Sequence, residues 1–174
     1  TLAPGPGSIN RRYSNYKSGT GAPSAPNVFS GGNNALSIGV NTCGGNFASG
    51  VAVWIDYNQN GIFEASERAY VSANAAVGPR AEAATIAVPS SALPGITAMR
   101  VTLVETTTPA TIAPCGTYTW GETEDYLVNI TPCVNAAITA APSNASVMCS
   151  NNTSFTAGTS GSVIGYAWQY RVNA

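Results

Sequence analysis

Gly50-Val-Ala-Val-Trp-Ile-Asp56-Tyr-Asn58-Gln-Asn60-Gly61-Ile62-Phe-Glu64-Ala-Ser-Glu67 runs from an apolar segment into a polar, glycine-containing one. The first part, Gly50–Asp56, is short, apolar and carries β-branched Val and Ile, so it reads as a β-strand with Trp54 turned to the core. Similar short runs lie on both sides: Ala35–Val40, Arg68–Ser72, Ala83–Val88, Ala98–Glu105 and Asp125–Thr131. Turn formers separate them, namely Gly44-Gly45-Asn46, Asn60-Gly61, Val88-Pro-Ser-Ser and Leu93-Pro-Gly95. Ala73–Ala84 is alanine-rich, but Gly78-Pro79 breaks any helix there. Residues 1–35 are rich in Gly, Pro, Ser and Asn, with Tyr13 and Tyr16 as anchors. Many short strands at this spacing predict an all-β fold, an antiparallel β-sandwich of jelly-roll or immunoglobulin-like type.

A boundary is expected at Thr131-Pro132-Cys133, because Pro132 stops a ladder. This gives one domain over residues 1–131 and a second over 132–174. Ala136–Thr139, Thr153–Ala157 and Val163–Val172 restart the strand pattern, and Trp168 suits the core tryptophan of an immunoglobulin-like third strand. So few residues cannot complete a seven-strand sandwich, and the second β-sandwich domain is expected to be truncated. The chain ends inside a strand-like stretch and shows no signal peptide, as expected of a mature or excised piece of a longer protein.

The 174 residues carry a net charge of −1, 9% charged residues and no histidine. Scattered Arg and Lys argue against nucleic-acid binding, and no apolar stretch is long enough for membrane insertion. Cys43, Cys115, Cys133 and Cys149 allow three pairings, none with C-x-x-C spacing. Two disulfides in an oxidising compartment are the expected use, hence an extracellular protein. Cys43–Cys115 and Cys133–Cys149 are the expected pairs, with a partner beyond Ala174 as an alternative for Cys149.

Six of the eight acidic residues fall in two segments, Asp56–Glu67 and Gly121–Tyr126. The first fits D-x-[DN]-x-[DN]-G-x5-E at every fixed position. Such a loop binds Ca2+ through Asp56, Asn58, Asn60, the Ile62 carbonyl and a bidentate Glu67, with Glu64 as a further donor. The alternative is an Asx-rich turn that needs no ion. In the second segment, Glu122 and Glu124 share one strand face and Asp125 takes the other. Each is a candidate partner for Arg100 or a candidate ligand of the metal. Catalysis is not expected: a Ser or Cys nucleophile has no histidine base, and G-x-S-x-G is absent. Two acids held by calcium or arginine also make a poor glycosidase pair. Tyr118 and Trp120 share strand parity and are candidates for contact with a polysaccharide or protein ligand.

Ser49–Glu64, then Met99-Arg-Val101, then Cys115-Gly-Thr-Tyr-Thr-Trp-Gly-Glu-Thr-Glu-Asp-Tyr126 resemble the GEVED domain over roughly residues 8–131. Thr123 stands where the family's motif has Val. The resemblance implies a secreted or cell-surface protein of Bacteroidetes or related bacteria, followed here by the start of an immunoglobulin-like or PKD-like repeat. It supplies no catalytic site. The expected function is therefore that of a non-catalytic, calcium-stabilised structural or adhesive module of a large surface or filament-forming protein. Its partners would be other domains or copies of that protein. The alternative is a carbohydrate- or protein-binding accessory domain of a secreted hydrolase.

Overall fold

A computed structural model describes residues 5–9, 12–20, 22–42 and 44–132, together with the backbone of 137–140 and 158–160. The chain divides into two compact units, Thr1–Pro132 and Cys133–Ala174. The first holds β1 (Tyr13–Asn15), β2 (Asn27–Ser30), β3 (Asn33–Val40), β4 (Ala48–Ile55), β5 (Arg68–Val71), β6 (Ala76–Val77), β7 (Arg80–Ala87), β8 (Gly95–Glu105) and β9 (Gly121–Pro132). The second shows β10 (Ala137–Ala140) paired antiparallel with β11 (Gly158–Ser160). Trp168 and the expected strands Thr153–Ala157 and Val163–Val172 lie outside the described residues.

Seven strands form one sheet in the order β1-β9-β8-β4-β5, with β2 also beside β9 and β6 also beside β4. β3 and β7 form a separate antiparallel ribbon. Leu36, Ile38, Val40 and Ile86 of the ribbon share a core with Val51, Val53 and Ile55 of β4, Met99 and Val101 of β8, and Val128 and Ile130 of β9. Each such aliphatic side chain contributes about 1.5–3 kcal/mol on full burial. The arrangement is all-β and sandwich-like.

β4 is a near-continuous apolar run because it is covered on both faces. Val51, Val53 and Ile55 face the ribbon, whereas Ala52 and Trp54 pack with Ile112, Phe63, Val71 and Val104 on the other side. Gly50 permits that second layer: a Cβ there would stand 2.5 Å from Pro109 Cβ and Cγ. The short 3-10 turn Pro109–Thr111 therefore seats directly on β4.

The expectation of a purely antiparallel sheet is corrected at one edge. β1 and β2 both run parallel to β9, through Tyr13↔Thr123 to Asn15↔Asp125 and Asn27↔Asn129 to Ser30↔Pro132. The Gly-, Pro-, Ser- and Asn-rich residues 1–35, in which the sequence marks no strand, thus supply two edge strands. They are set by backbone bonds, among them Thr123 N–H to Arg12 C=O (2.9 Å), Tyr16 N–H to Asp125 C=O (2.8 Å) and Asn129 N–H to Pro26 C=O (2.9 Å).

Candidate metal loop and the second acidic segment

β4 and β5 are antiparallel neighbours, and Asp56–Glu67 is the connection between them. Asp56 is 4% exposed, and its main-chain carbonyl accepts the Thr97 hydroxyl at 2.7 Å. Its carboxylate turns back into the loop: Oδ1 accepts Asn60 N–H (3.1 Å) and Oδ2 accepts Gly61 N–H (2.9 Å). Asn58 Oδ1 shares the Asn60 N–H at 3.0 Å, and Asn60 Oδ1 accepts Ile62 N–H at 2.8 Å. Gln59 (φ 57°) and Gly61 (φ 81°) adopt left-handed backbone, which glycine takes without strain and glutamine does not. The Gln59 amide donates to Leu93 C=O at 2.9 Å.

The two glutamates divide the remaining work. Glu67, 3% exposed, accepts Tyr57 N–H (2.8 Å) and Asn58 N–H (3.2 Å) at Oε1, and Glu64 N–H (3.1 Å) at Oε2. With two donors on Oε1 and one on Oε2, Glu67 anchors the loop backbone from inside. Exposed Glu64 accepts the amides of Asn58 (3.2 Å) and Asn60 (3.3 Å). It therefore closes a knot with Asp56, Asn58 and Asn60. Ile62 is exposed. Among the described residues, no three His, Cys, Asp or Glu side chains gather closely enough to hold a metal ion. The knot draws on amide as well as carboxylate oxygens, and an all-oxygen donor set suits a hard cation. Tyr57, next to Asp56, has a buried hydroxyl with no hydrogen-bond partner among the described residues. Burial and then the Glu67 charge push its pKa up to about 12.

The second segment separates by strand parity, as β9 requires. Asp125 stands opposite Arg100 of β8, 1% exposed. It accepts Arg100 Nε and NH2 at 2.7 Å each and the Tyr13 hydroxyl at 2.8 Å, with Lys17 Nζ at 3.5 Å. Burial alone would raise the Asp125 pKa, but the donors of Arg100 and Tyr13 outweigh it and hold it below the ordinary value. Arg100 also donates to Pro114 C=O at 2.9 Å and lies 4.8 Å from the Phe63 ring centroid. Asp125 is thus the partner of Arg100. Glu122 and Glu124 lie across from Leu103 and Val101 on the opposite sheet face. Glu122 accepts the Ser14 hydroxyl (3.1 Å) and Glu124 accepts the Tyr126 hydroxyl (2.7 Å). Burial, and more weakly the Glu122 charge, raise the Glu124 pKa despite that bond.

On the Arg100 side, a cleft of about 720 Å³ is lined by Arg12, Tyr13, Arg100, Cys115, Tyr118 and Thr123. The Tyr118 hydroxyl lies 2.8 Å from Thr123 Oγ1 and donates to Arg12 C=O at 3.0 Å, while Trp120 is 66% exposed. Cys115 is exposed without a disulfide partner among the described residues. Cys43, Cys133 and Cys149, and with them both expected disulfides, lie outside those residues.

Residues 50–129 match the family model of the GEVED domain. The match runs from β4 to β9, so it takes in the Asp56–Glu67 loop, Arg100 and the motif Gly121-Glu-Thr-Glu-Asp125. Comparison with curated proteins and with solved structures gives no match. The GEVED motif's last residue is the buried partner of Arg100, and its glycine is fixed by space: a Cβ on Gly121 would collide with Leu103 C=O. Sequence reasoning took Tyr13 as an anchor without a partner and missed Arg12 and Lys17 around this pair, because the residue pattern of 1–35 marks no strand before Ala35. It also missed the half-buried Arg80–Glu82 pair (2.8 Å), whose carboxylate accepts the Tyr70 hydroxyl at 2.7 Å.

Proposed function

We propose that this chain is a non-catalytic module of a larger bacterial surface or secreted protein, and that a calcium ion stiffens its Asp56–Glu67 loop. The observation that carries the reading is the knot of Asp56, Asn58, Asn60 and Glu64 at the end of a buried strand. Each of these side chains offers oxygen, and an amide oxygen with one N–H donor keeps a second lone pair. The Ile62 carbonyl completes the set, and Glu67 holds the frame. Calcium, when bound, would neutralise the acidic loop and fix its backbone. The carboxylates of Glu82, Glu122, Glu124 and Asp125 serve the sheet, which supports a structural task in preference to chemistry. The finer expectations belong to this proposal: a jelly-roll or immunoglobulin-like sandwich, a truncated immunoglobulin-like or PKD-like repeat after it, an extracellular Bacteroidetes-type surface protein, and other domains or copies as partners.

The test is thermal unfolding of metal-free protein with excess calcium and with chelator. At a hundredfold excess over Kd, binding to the native state alone contributes about 2.7 kcal/mol. The melting temperature should rise with calcium, and Asp56→Ala should abolish the response. Identical melts of wild type under both conditions would remove the reading.

A second reading, a carbohydrate- or protein-binding accessory domain, is favoured by the cleft beside Tyr118 and by exposed Trp120. Polysaccharide binding that Tyr118→Ala and Trp120→Ala abolish, with the calcium response intact, would put it first.

A further inference from the structure

The Asp56–Glu67 loop contains Asn60-Gly61, a dipeptide in which a backbone nitrogen can attack the preceding side-chain amide. All three reacting groups are held by hydrogen bonds. The Asn60 carbonyl oxygen Oδ1 accepts Ile62 N–H at 2.8 Å, which polarises it and would stabilise negative charge developing there. The leaving nitrogen Nδ2 donates to Glu64 Oε1 at 3.3 Å. The nucleophile, Gly61 N, donates to Asp56 Oδ2 at 2.9 Å. Asn60 is exposed, and the space around Gly61 is open, with nothing within 4 Å of where its Cβ would stand. The first bond favours ring closure, the second only positions the leaving nitrogen, and the third opposes the attack.

We propose that Asn60–Gly61 is a latent self-modification site that the Asp56 carboxylate holds in check. Attack requires Gly61 N to give its proton to solvent base and turn the freed electron pair onto Asn60 Cγ. A carboxylate is far too weak a base to take an amide proton. It keeps that proton engaged and, being anionic, disfavours negative charge on the nitrogen beside it. When the bond opens, the N–Cγ bond forms, the Cγ–Nδ2 bond breaks and ammonia leaves with a proton from solvent. Water then opens the succinimide at either carbonyl, giving aspartate or isoaspartate without any redox change. Either product places a new carboxylate in the loop. The iso form also inserts a methylene into the main chain and moves Gly61 N–H away from Asp56, and because ammonia has left, neither product returns to asparagine.

The experiment incubates the purified full chain at physiological temperature and mildly alkaline pH, with peptide mapping of residue 60 by mass spectrometry and an isoaspartate assay. Wild type should react far more slowly than the same chain in urea. Asp56→Asn keeps the size and removes the charge, and should accelerate modification roughly ten- to a hundredfold, the range spanned by a hydrogen bond to a charged group. Glu67→Gln loosens the same loop through Tyr57, Asn58 and Glu64 but leaves the Asp56–Gly61 contact, and should stay near wild type. Equal acceleration in both variants would assign the restraint to general loop order and overturn the proposal, as would a wild-type rate equal to that in urea. Amide hydrogen exchange of the wild type gives a check that needs no variant: Gly61 N–H should be protected, and fast exchange there would also overturn it.

Discussion

Replacing Asp125 with Leu tests the centre of the second acidic segment. The substitution leaves the Arg100 guanidinium, whose side chain is only 18% exposed, without its bidentate partner. Breaking a buried pair from one side costs about 3–5 kcal/mol. Arg100 keeps the Pro114 carbonyl and the Phe63 ring, so the lower end, about 3 kcal/mol, is expected. For a unit of this size the melting temperature should fall by about 10 °C. Arg100→Met alone strands the Asp125 carboxylate and should cost a similar amount. The double variant removes both charges and should lie within about 1–2 kcal/mol of wild type, the remainder reflecting the lost Tyr13 and Pro114 bonds. Urea titration of the full chain, followed by the fluorescence of buried Trp54, gives the four corners of the cycle. The pH dependence follows from the depressed Asp125 pKa: the pair's contribution is present above the unfolded value near 4 and is lost as pH falls through the lower folded value. The double variant should lose that part of the acid sensitivity. Additive single costs, or an Asp125→Leu cost below about 1 kcal/mol, would refute the reasoning.

Two further outcomes are expected. Glu124 has a raised pKa, so its folded form binds a proton more tightly and stability falls as pH rises from the unfolded value through the folded one. Glu124→Gln should flatten that slope in a pH series of urea midpoints, and an unchanged slope would count against it. Gly121→Ala should destabilise by about 1–3 kcal/mol, because the added methyl meets backbone at Leu103 and the Tyr118 ring at 3.0 Å. A scanning-calorimetry trace identical to wild type would show that the strand can yield there.

The sequence made the centre of the domain legible and left its edge obscure, for a physical reason. β4, β8 and β9 bury apolar side chains on the ribbon side, so a continuous apolar run marks β4 and alternation marks the other two. The same parity separates Asp125 from Glu122 and Glu124. β1 and β2 are only three and four residues long, and apart from Val28 in the core and the Tyr13 bond to Asp125 they are held by main-chain bonds with β9. Backbone pairing leaves no mark on side-chain pattern, so Arg12, Tyr13 and Lys17 could not be placed beside Asp125. The loop pattern picked out Asp56, Asn58 and Asn60, which the structure brings together, and gave no sign of Glu67's task of accepting backbone N–H groups. That task depends on the capping box between Glu64 and Glu67 of the 3-10 turn Ala65–Glu67, a local turn that the calcium-loop pattern does not describe.

The parallel pairing of the first strands with the last has a mechanical consequence. If the ends of the unit are drawn apart, β1 and β2 are pulled toward their N-terminal ends while β9 is pulled toward its C-terminal end. Because the strands run the same way, the force acts along the ladder and not across it. Three register pairs to β1 and four to β2 are then strained together, as rivets in a lap joint share a load, where a hairpin would open one rung at a time.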